Sequence, residues 1–425
     1  MTEQLTTTPL AEEVRDWLQA HWDPDQSLAE WRDVLVDSGW ACPSWPKEWY
    51  GRGLPDAARE VVDAQFRQVG AVGPATGSGM GLVAPTLLEH GSDDLKSRYL
   101  RPIVTGEHTW CQLFSEPGSG SDLAGLTTRA DLDGDEWVVN GQKVWNTSAH
   151  HAKYGMLLAR TDWSVPKHRG ITYLVLRMDQ PGVHVRPLRQ MNGYASFNEV
   201  FLTDARVPAT DVVGQVGEGW RVALTTLAHE RGLSAHRQPK FDVAGGRVLR
   251  EAAAEAAEAY EPYRWYPQRA GRVDLIVERA KSAGLNDDPV VRQEIAALLS
   301  LTRAAQWTAQ RAVANRALGR PPGAEGSLGK LNGSRIARAA AHLHGRIAGS
   351  SAMLAGSDSV LDGLITEILV SVPGGSIAGG TDEIQHNIIG ERVLGLPKEP
   401  QTDTNVAFSE VPKNVARTTP GALRS

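Results

Sequence analysis

The chain has 425 residues, which is enough for about two or three packed regions around a large shared core. Its 50 acidic and 44 basic residues give a formal net charge of −6 without a basic cluster, and this balance disfavours nucleic acid as a partner. Two cysteines, no signal-like N-terminus and no apolar run of about 18 residues predict a cytoplasmic protein with neither a disulfide framework nor a membrane span.

The first segment, residues 1 to about 110, is predicted to be helical. Three stretches repeat apolar residues at intervals of three and four: LAEEVRDWLQAHW, SLAEWRDVLVDSGW and DAAREVVDAQFRQVGA. The next segment, to about residue 216, changes to short β-rich runs such as WVVNGQKVWNTSA and GITYLVLRMD, which are separated by turn formers such as DLDGDE and DQPG. This second pattern predicts an antiparallel sheet.

Helical periodicity returns at about residue 217 and is clear in GWRVALTTLAHERGL, in the run after NDDP and in TDEIQHNIIGERVLG. The last residues show no clear period, and we expect them to form a loose tail. The sequence therefore predicts four parts: an N-terminal helical domain (1–110), a central β domain (111–216), a C-terminal helical bundle (217–397) and a tail (398–425).

The obvious metal and nucleotide motifs are incomplete. A zinc-binding helix needs two histidines four residues apart, but His229 and Glu230 are followed by Leu233 at that position and by His236 only later. The stretch GRPPGAEGSLGK lacks the first glycine and the final Ser or Thr of a phosphate loop, and no GxGxxG follows a strand. Two further histidine pairs have no third ligand at metal spacing: His342 with His344, and His150 with His151.

The most informative segment is FSEPGSGSDLAG, which connects the helical and β regions. Its glycines allow a ligand to approach the backbone closely, and its serines add hydroxyl donors. About 25 residues later the strand NGQKVWNTSA ends in tryptophan, asparagine and threonine. A donor-rich turn beside such a strand end predicts a site for a flat ring with polar edges, although the turn by itself would be an ordinary surface loop.

These two segments resemble the acyl-CoA dehydrogenase flavoproteins. Four further stretches share the resemblance and keep the family's order: GWACPSWPKEWYGRGL, LRPIVTGEHTWCQ, FNEVFLTDARVPATDVVGQVGEGW and GGTDEIQHNIIGERVLGLP. The likeness covers roughly residues 30 to 397. It implies the acyl-CoA dehydrogenase fold, which has an N-terminal α-helical domain, a central antiparallel β domain and a C-terminal four-helix bundle. It also implies FAD between the β domain and the bundle, partly shared across a subunit interface.

The resemblance also implies roles for individual residues. Ser115 takes the place of a hydroxyl residue that hydrogen-bonds the flavin, and Thr147 takes the place of the residue that faces its N5 atom. The FAD-binding positions are Gln112, Phe114, Ser115, Gly120, Ser121, Trp145, Asn146, Thr147, Thr381 and Glu383. The substrate-binding positions are Ser121, Gly379 and Gly380.

The catalytic base is expected at Glu230. The family reaction uses a carboxylate to remove the α-proton of an acyl-CoA thioester while the β-hydride passes to the flavin. Many members carry this glutamate in Tyr-Glu-Gly-Thr, where this chain has Gly379, whereas others carry it before an arginine on the first bundle helix, as in TTLAHERGL. The alternative is that Glu230 only makes a surface salt bridge, and Asp382 and Glu383 are weaker candidates that suit helix capping.

Two cofactor patterns of the family are changed in this chain. The arginine that precedes Phe-Gly and reaches the FAD pyrophosphate of a neighbouring subunit has no clear equivalent, because YEPYRWYPQRAGRVDL offers Arg264, Arg269 and Arg272 without Phe-Gly. The usual glycine pair of the third bundle helix is replaced by IAGSSAM around Gly349. These changes are compatible with an unusual mode of FAD binding or with a cofactor shared with a different subunit.

Three functions therefore stay open at this point. The first is an FAD-dependent acyl-CoA dehydrogenase that passes electrons to an electron-transfer flavoprotein, with a bulky, branched or steroid-derived acyl group as one possible substrate. The second is a flavin oxidase or monooxygenase on the same fold. The third is a non-catalytic or half-site partner subunit. The resemblance implies a homodimer, a homotetramer or a paired acyl-CoA dehydrogenase subunit.

Overall fold

The computed structural model describes residues 9–232, 240–317, 323, 325–400 and 403–411. Its first layer is helical, as predicted. The second helix of this layer begins at a capping box, in which the Ser27 hydroxyl and the Glu30 carboxylate each accept a hydrogen bond from the other residue's backbone N–H. The helices of this layer are α1 Pro9–His21, α2 Leu28–Ser38, α3 Ala58–Val69, α4 Ala84–His90 and α5 Asp93–Thr105.

The central layer is a seven-stranded sheet within residues 110–208. The strands are β1 Trp110–Leu113, β2 Arg129–Asp133, β3 Glu136–Thr147, β4 Tyr154–Arg160, β5 Ile171–Arg177, β6 Val183–Leu188 and β7 Phe197–Pro208. Their spatial order is β1-β4-β2-β3-β7-β6, with β5 beside β4. The predicted antiparallel arrangement holds for β2–β3, β3–β7, β6–β7 and β4–β5.

Two pairings depart from that expectation, because β4 runs parallel both to β1, with Trp110 opposite Tyr154, and to β2, with Arg129 opposite Arg160. Parallel neighbours need a long crossover, and the β2–β3 hairpin lies in the connection between β1 and β4. As a result, the loop that follows β1 starts at the edge of the same sheet that carries the end of β3.

The remaining helices follow the sheet. They are α6 Gly219–Gly232, α7 Arg247–Tyr260, α8 Tyr266–Arg269, α9 Ile276–Ser282, α10 Pro289–Ala317, α11 Glu325–Ala348, α12 Leu364–Ser371 and α13 Asp382–Arg392. Helix α11 lies at the centre of this layer, because Ala340, Leu343 and Ile347 pack with the first half of α10, while Ala337 and Ala341 pack towards α12. Among the described residues, no helix combines the length and the hydropathy that a bilayer span requires.

Helix α7 packs on the N-terminal layer. Val248, Leu249 and Ala252 belong to the same buried cluster as Trp31. The Arg32 guanidinium, which is itself buried, donates to the Glu255 carboxylate at 2.8 Å. The chain therefore leaves the sheet through α6, returns to the first helices through α7, and only then forms the helical layer around α11.

The C-terminal segment docks on the sheet over residues 403–411, so the expectation of a loose tail does not hold there. The backbone N–H of Phe408 donates to the Val165 carbonyl at 2.9 Å, and the Phe408 ring is buried 3.5 Å from the Arg160 guanidinium carbon. The Lys167 ammonium forms two ion pairs, one with the Asp403 carboxylate at 2.8 Å and one with the Asp122 carboxylate at 3.1 Å. The tail is thereby connected to the loop that contains Ser121.

Phe408→Ala is expected to lower the free energy of unfolding by about 3 kcal/mol, because it removes a buried ring and its contact with a guanidinium. Urea denaturation measures this loss. Glu410→Ala is the matched control, because Glu410 belongs to the same segment with an exposed side chain and should change stability by less than about 0.5 kcal/mol. Equal, small effects of both substitutions would show that the segment is not docked in solution.

Candidate active site

The end of β3 carries a β-bulge that turns one tryptophan outward. The register with β7 shifts between Lys143 and Asn146, and Trp145 adopts a left-handed backbone with φ of 65°. Its side chain is 57% exposed, whereas Asn146 is 2% exposed. Bulges commonly re-aim a side chain next to a functional site. Here the bulge presents a broad indole surface to the outside of the sheet.

Two buried asparagines fix this bulge. Asn146 Nδ2 donates to the Gln112 carbonyl at 2.7 Å, and Asn198 Nδ2 donates to the Asn146 carbonyl at 2.9 Å. Asn198 lies opposite Asn146 on β7 and is fully buried. The predicted cofactor residue Asn146 therefore joins β3 to β1 through its amide. Asn198 was not predicted from the sequence, where it appears only as one polar residue in an alternating strand.

Glu230 lies near the end of α6 and reaches the same edge of the sheet. One face of α6 is buried through Val222, Ala223 and Thr226, and the Thr226 hydroxyl is 2.9 Å from that of Thr86. Glu230 follows Thr226 by one helical turn and is half-buried. Its Oε2 atom accepts a hydrogen bond from Gln112 Nε2 at 3.3 Å. The structure thus brings Glu230, Gln112 and the β3 bulge together.

A row of aromatic rings borders this group; we call Tyr263, Trp265, Tyr266, Phe197 and Trp145 the aromatic wall. Neighbouring ring centroids lie 4.9 Å apart for Tyr263 and Tyr266, 5.1 Å for Tyr266 and Trp265, 6.1 Å for Trp265 and Phe197, and 5.8 Å for Phe197 and Trp145. All four of these pairs are edge-to-face, a geometry that aromatic quadrupoles favour. The wall forms a continuous apolar surface that ends at the exposed indole.

Glu230 lies close enough to this wall to influence it electrostatically. Burial is the main reason why the pKa values of the Tyr263 and Tyr266 hydroxyls are raised, and the Glu230 carboxylate raises both further. Desolvation by such rings disfavours the charged form of a carboxylate, whereas the Gln112 amide favours it. The Glu230 carboxylate therefore lies between an apolar wall and the Gln112 amide.

The glycine-serine loop is anchored inside the protein at its first residues and open at its last ones. The Phe114 ring is buried against Tyr173 at 5.8 Å, so its side chain belongs to the core and only its backbone faces the loop. Glu116 and Ser119 close a turn through two backbone hydrogen bonds of 3.0 and 3.1 Å. Ser115 is half-buried, whereas Gly120 and Ser121 are exposed. A Cβ at Gly120 would meet no atom within 4 Å.

A buried ion pair holds this loop against β3. Lys143 Nζ donates to the Glu116 carboxylate at 2.9 Å and to the Phe114 carbonyl at 3.0 Å. Burial alone would raise the pKa of the Glu116 carboxyl, but the Lys143 ammonium and the hydrogen bonds from Thr128 and Thr127 outweigh it and lower the pKa to about 2. This ion pair was not predicted from the sequence. Its two members belong to the quoted segments FSEPGSGSD and NGQKVWNT, but their contact across strands has no local signature.

The glycine hinge before α13 forms a second group. Gly379 and Gly380 have φ of 68° and 84°, and Thr381 caps α13 by accepting from the Ile384 N–H at 3.2 Å. Gln385 Nε2 donates to both glycine carbonyls at 3.3 and 3.2 Å. Left-handed backbone at two successive positions strongly favours glycine. The hinge predicted from the sequence is thus fixed in place by the helix that it precedes.

The acids of this hinge are poor candidates for a base. Asp382 is buried and paired with Lys330 at 2.8 Å and Arg338 at 3.3 Å. Glu383 is exposed, and hydrogen bonds from its own backbone N–H and from Thr381 lower the pKa of its carboxyl. Within the described part of the chain, no hydrogen bond or ion pair joins this hinge to the group around Glu230.

The arginines that stand in place of the Arg-Phe-Gly pattern are engaged within their own segment. Arg264 pairs with Glu261 at 2.9 Å, and Arg272 pairs with Asp274 at 2.7 Å. The Arg269 guanidinium lies 5.0 Å from the centre of the Tyr266 ring. All three of these contacts are local.

The paired histidines contact other protein side chains. His344 is buried with Nδ1 2.8 Å from Arg279, His342 lies 3.8 Å from Glu294, and the rings of His150 and His151 are tilted against each other with centroids 3.9 Å apart. His236 lies outside the described residues. Over the ranges that the structure covers, no three His, Cys, Asp or Glu side chains are arranged to hold a metal ion.

Family models match the chain in three parts. They are the N-terminal domain of acyl-CoA dehydrogenases over residues 1–107, the middle domain over 111–205 and the C-terminal domain over 271–394. Together they cover most of the chain.

Individual proteins agree with these matches. The acyl-CoA dehydrogenase IpdE1 of Mycobacterium tuberculosis is 39% identical over 376 residues, which is 87% of this chain and 88% of that protein. The solved structure of the Tcur3481-Tcur3483 steroid ACAD superimposes with a TM-score of 0.64 and 25% identity, covering 92% of this chain and 98% of that one. The ChsE4-ChsE5 complex from Mycobacterium tuberculosis gives a TM-score of 0.63 and 26% identity, with 94% and 98% covered.

Proposed function

Because this chain belongs to the acyl-CoA dehydrogenase family of oxidoreductases that act on CH–CH donors, we propose that it converts an acyl-CoA thioester to the trans-2-enoyl-CoA with Glu230 as the base. One observation carries this proposal above the others. Glu230 is the carboxylate that lies between the bulge of β3, the Gln112 amide and the aromatic wall. The alternative position in the hinge is Gly379, and the acids that follow it are paired or exposed.

The family is a flavoprotein family, and the residues present fit a flavin. Asn146 Oδ1 is buried and accepts no hydrogen bond from the described residues, so it has a free acceptor at the bulge. The exposed Trp145 indole offers a stacking surface, and the open backbone of Gly120 permits close approach. We propose FAD as the cofactor, held by the remaining predicted contacts at Ser115, Ser121 and Thr147 and, across a subunit interface, at Thr381 and Glu383. When bound, FAD supplies the acceptor for the two electrons and the β-hydrogen.

Removal of the α-proton is the task of the chain's own residues. Glu230 removes it, and the aromatic wall excludes water from the carboxylate, which strengthens its basicity relative to an exposed glutamate. The hinge glycines Gly379 and Gly380, with Ser121 from the loop, remain the proposed contacts of the acyl chain and the thioester.

We further propose a bulky, ring-containing acyl group. A Cβ at Gly379 would meet no atom within 4 Å, so the position that carries glutamate in other members is open here. The aromatic wall offers apolar ring faces and edges, which polycyclic hydrocarbons contact well. One similar structure is named a steroid ACAD, which supports the same substrate class.

A panel of acyl-CoAs tests this substrate class. Straight short-chain, straight long-chain, branched and steroid side-chain thioesters would be compared by kcat/KM with an artificial electron acceptor, and product masses would be checked for the loss of two hydrogens. We expect the steroid side-chain thioester to be preferred by at least about tenfold, which corresponds to about 1.4 kcal/mol of transition-state binding. A preference for short straight chains would exclude the bulky substrate.

A partner subunit is the second candidate, because the ChsE4-ChsE5 complex and the Tcur3481-Tcur3483 steroid ACAD are each named for two proteins. A second reason is that Arg264, Arg269 and Arg272, which stand in place of the family's pyrophosphate-binding arginine, contact residues of their own segment. A purified chain that is colourless, and that becomes yellow on co-expression with a second acyl-CoA dehydrogenase chain, would favour the partner-subunit function.

Transfer of electrons to an electron-transfer flavoprotein, rather than to oxygen as in an oxidase, stays a prediction. A cytoplasmic location also stays a prediction. Rapid reoxidation of the reduced protein by air would favour the oxidase.

A further inference from the structure

Gln112 makes two hydrogen bonds that join the β3 bulge to Glu230. Its side-chain Nε2 donates to Glu230 Oε2 at 3.3 Å, and its backbone carbonyl accepts from Asn146 Nδ2 at 2.7 Å. Asn146 is in turn held by Asn198 at 2.9 Å, and both asparagines are buried. The position of the Gln112 backbone is therefore determined by packed groups on three strands, β1, β3 and β7.

This arrangement gives the Glu230 carboxylate a fixed donor at one oxygen. A carboxylate at the end of a helix can otherwise occupy several rotamers, and holding it in one of them brings it closer to reacting geometry. Such a bond favours the charged form, because an ionised carboxylate oxygen is a stronger acceptor for the amide N–H than an oxygen of the protonated acid. Gln112 therefore orients the Glu230 carboxylate and favours its ionised form. The rings of Tyr263 and Tyr266 act in the opposite direction on protonation, because desolvation disfavours the ionised form.

We propose that Gln112 is a positioning residue for the catalytic base: its side-chain amide orients the Glu230 carboxylate and stabilises it in the ionised state, in addition to any contact with the cofactor. The inference rests on the proposed function, since it assigns Gln112 a task only if Glu230 removes the α-proton. It differs from a cofactor-binding role because it predicts an effect on the titration of one particular carboxylate.

The test is the pH dependence of kcat/KM for Gln112→Leu and Gln112→Glu. The rate falls at acid pH as the base becomes protonated, so loss of the donor should move this acid limb to higher pH, by about one unit for Gln112→Leu. Gln112→Glu keeps the shape of the side chain but places a second carboxylate beside Glu230, and it should move the limb further.

Gln142→Leu is the matched control. Gln142 Nε2 donates to the Glu199 carboxylate at 3.3 Å between β3 and β7. This bond has the same type of donor and acceptor and the same length as the bond between Gln112 and Glu230. It should leave the acid limb in place. A flavin-independent readout is a double-mutant cycle in urea with Gln112→Leu, which removes the donor, and Glu230→Ala, which removes the acceptor; the two substitutions should be non-additive.

The outcomes separate the two levels of the proposal. If Glu230→Gln keeps full activity, the proposed base is wrong. If Glu230→Gln is inactive while Gln112→Leu and Gln112→Glu keep the wild-type acid limb, Gln112 is not a positioning residue. Additive effects in the urea cycle would overturn the Gln112–Glu230 interaction even if the variants bind flavin poorly.

Discussion

Replacing Glu230 with glutamine is expected to lower kcat for acyl-CoA dehydrogenation by about 10³-fold, because general base catalysis by a positioned side chain contributes about 10²- to 10⁴-fold. Glutamine keeps the size of the side chain and its hydrogen-bonding capacity but cannot accept the α-proton. Glu230 is half-buried, so the substitution should change the free energy of unfolding little. Stopped-flow mixing under anaerobic conditions, which follows the flavin absorbance in a single turnover, measures this effect directly.

Two glutamates serve as controls for Glu230. Glu218 lies just before α6 and pairs with Arg221 at 2.9 Å, and Glu383 is the exposed acid after the hinge. Glu218→Gln should retain near wild-type turnover, which shows that a glutamate near α6 is not sufficient. A large loss of turnover in Glu383→Gln combined with full activity of Glu230→Gln would move the base to the hinge and contradict the assignment.

Lys143→Met is expected to lower the free energy of unfolding by about 3–5 kcal/mol, because it leaves the buried Glu116 carboxylate without its cation. Lys143 is fully buried and Glu116 nearly so, with 2.9 Å between the ammonium and the carboxylate. Urea denaturation gives the loss of stability. Since Glu116 begins the turn that presents Gly120 and Ser121, the variant should also retain flavin less well.

Lys153→Met is the matched control for Lys143→Met. Lys153 pairs with Glu107 at 3.6 Å, but both side chains are exposed, so the expected loss is at most about 1 kcal/mol. If both methionine variants lost the same small amount, the buried pair would not be the anchor of the loop.

The pH dependence of stability follows from the same carboxylate. The pKa of Glu116 is lowered to about 2 in the folded protein from an ordinary value of 4.5. Its stabilising contribution is therefore complete above about pH 4.5 and is lost as the pH falls towards 2. Glu116→Gln should flatten this part of the stability profile, because the substituted residue no longer binds a proton in that range.

Secondary structure could be predicted from the sequence wherever the hydrophobic period was long and regular. The helices α6, α10 and α13 and most strands have the predicted type, because a periodic apolar face determines which side is buried. Three features depend on contacts between distant residues, which no local pattern contains. They are the parallel pairing of β1 with β4, the packing of α7 on the N-terminal helices, and the docking of residues 403–411 through Phe408.

The same distinction applies to the candidate site. Motif residues such as Trp145, Asn146 and Glu230 could be proposed as site residues because their order in the chain resembles a known family. Phe114 belongs to the motif FSEPGSGSD, but its ring packs in the core against Tyr173, because a motif does not specify which way a side chain points. Asn198 and Lys143 act only through partners on other strands, and their roles could not be predicted before those strands were placed.

The visible absorbance spectrum of the purified chain, before and after anaerobic addition of a steroid side-chain acyl-CoA, tests the central claim most directly. We expect a bound flavin band that bleaches with the wild type and persists, unbleached, with Glu230→Gln. A flavin band that no acyl-CoA of the panel bleaches in the wild type would contradict the proposal that this chain is an acyl-CoA dehydrogenase with its base on α6. So would bleaching of Glu230→Gln at the wild-type rate.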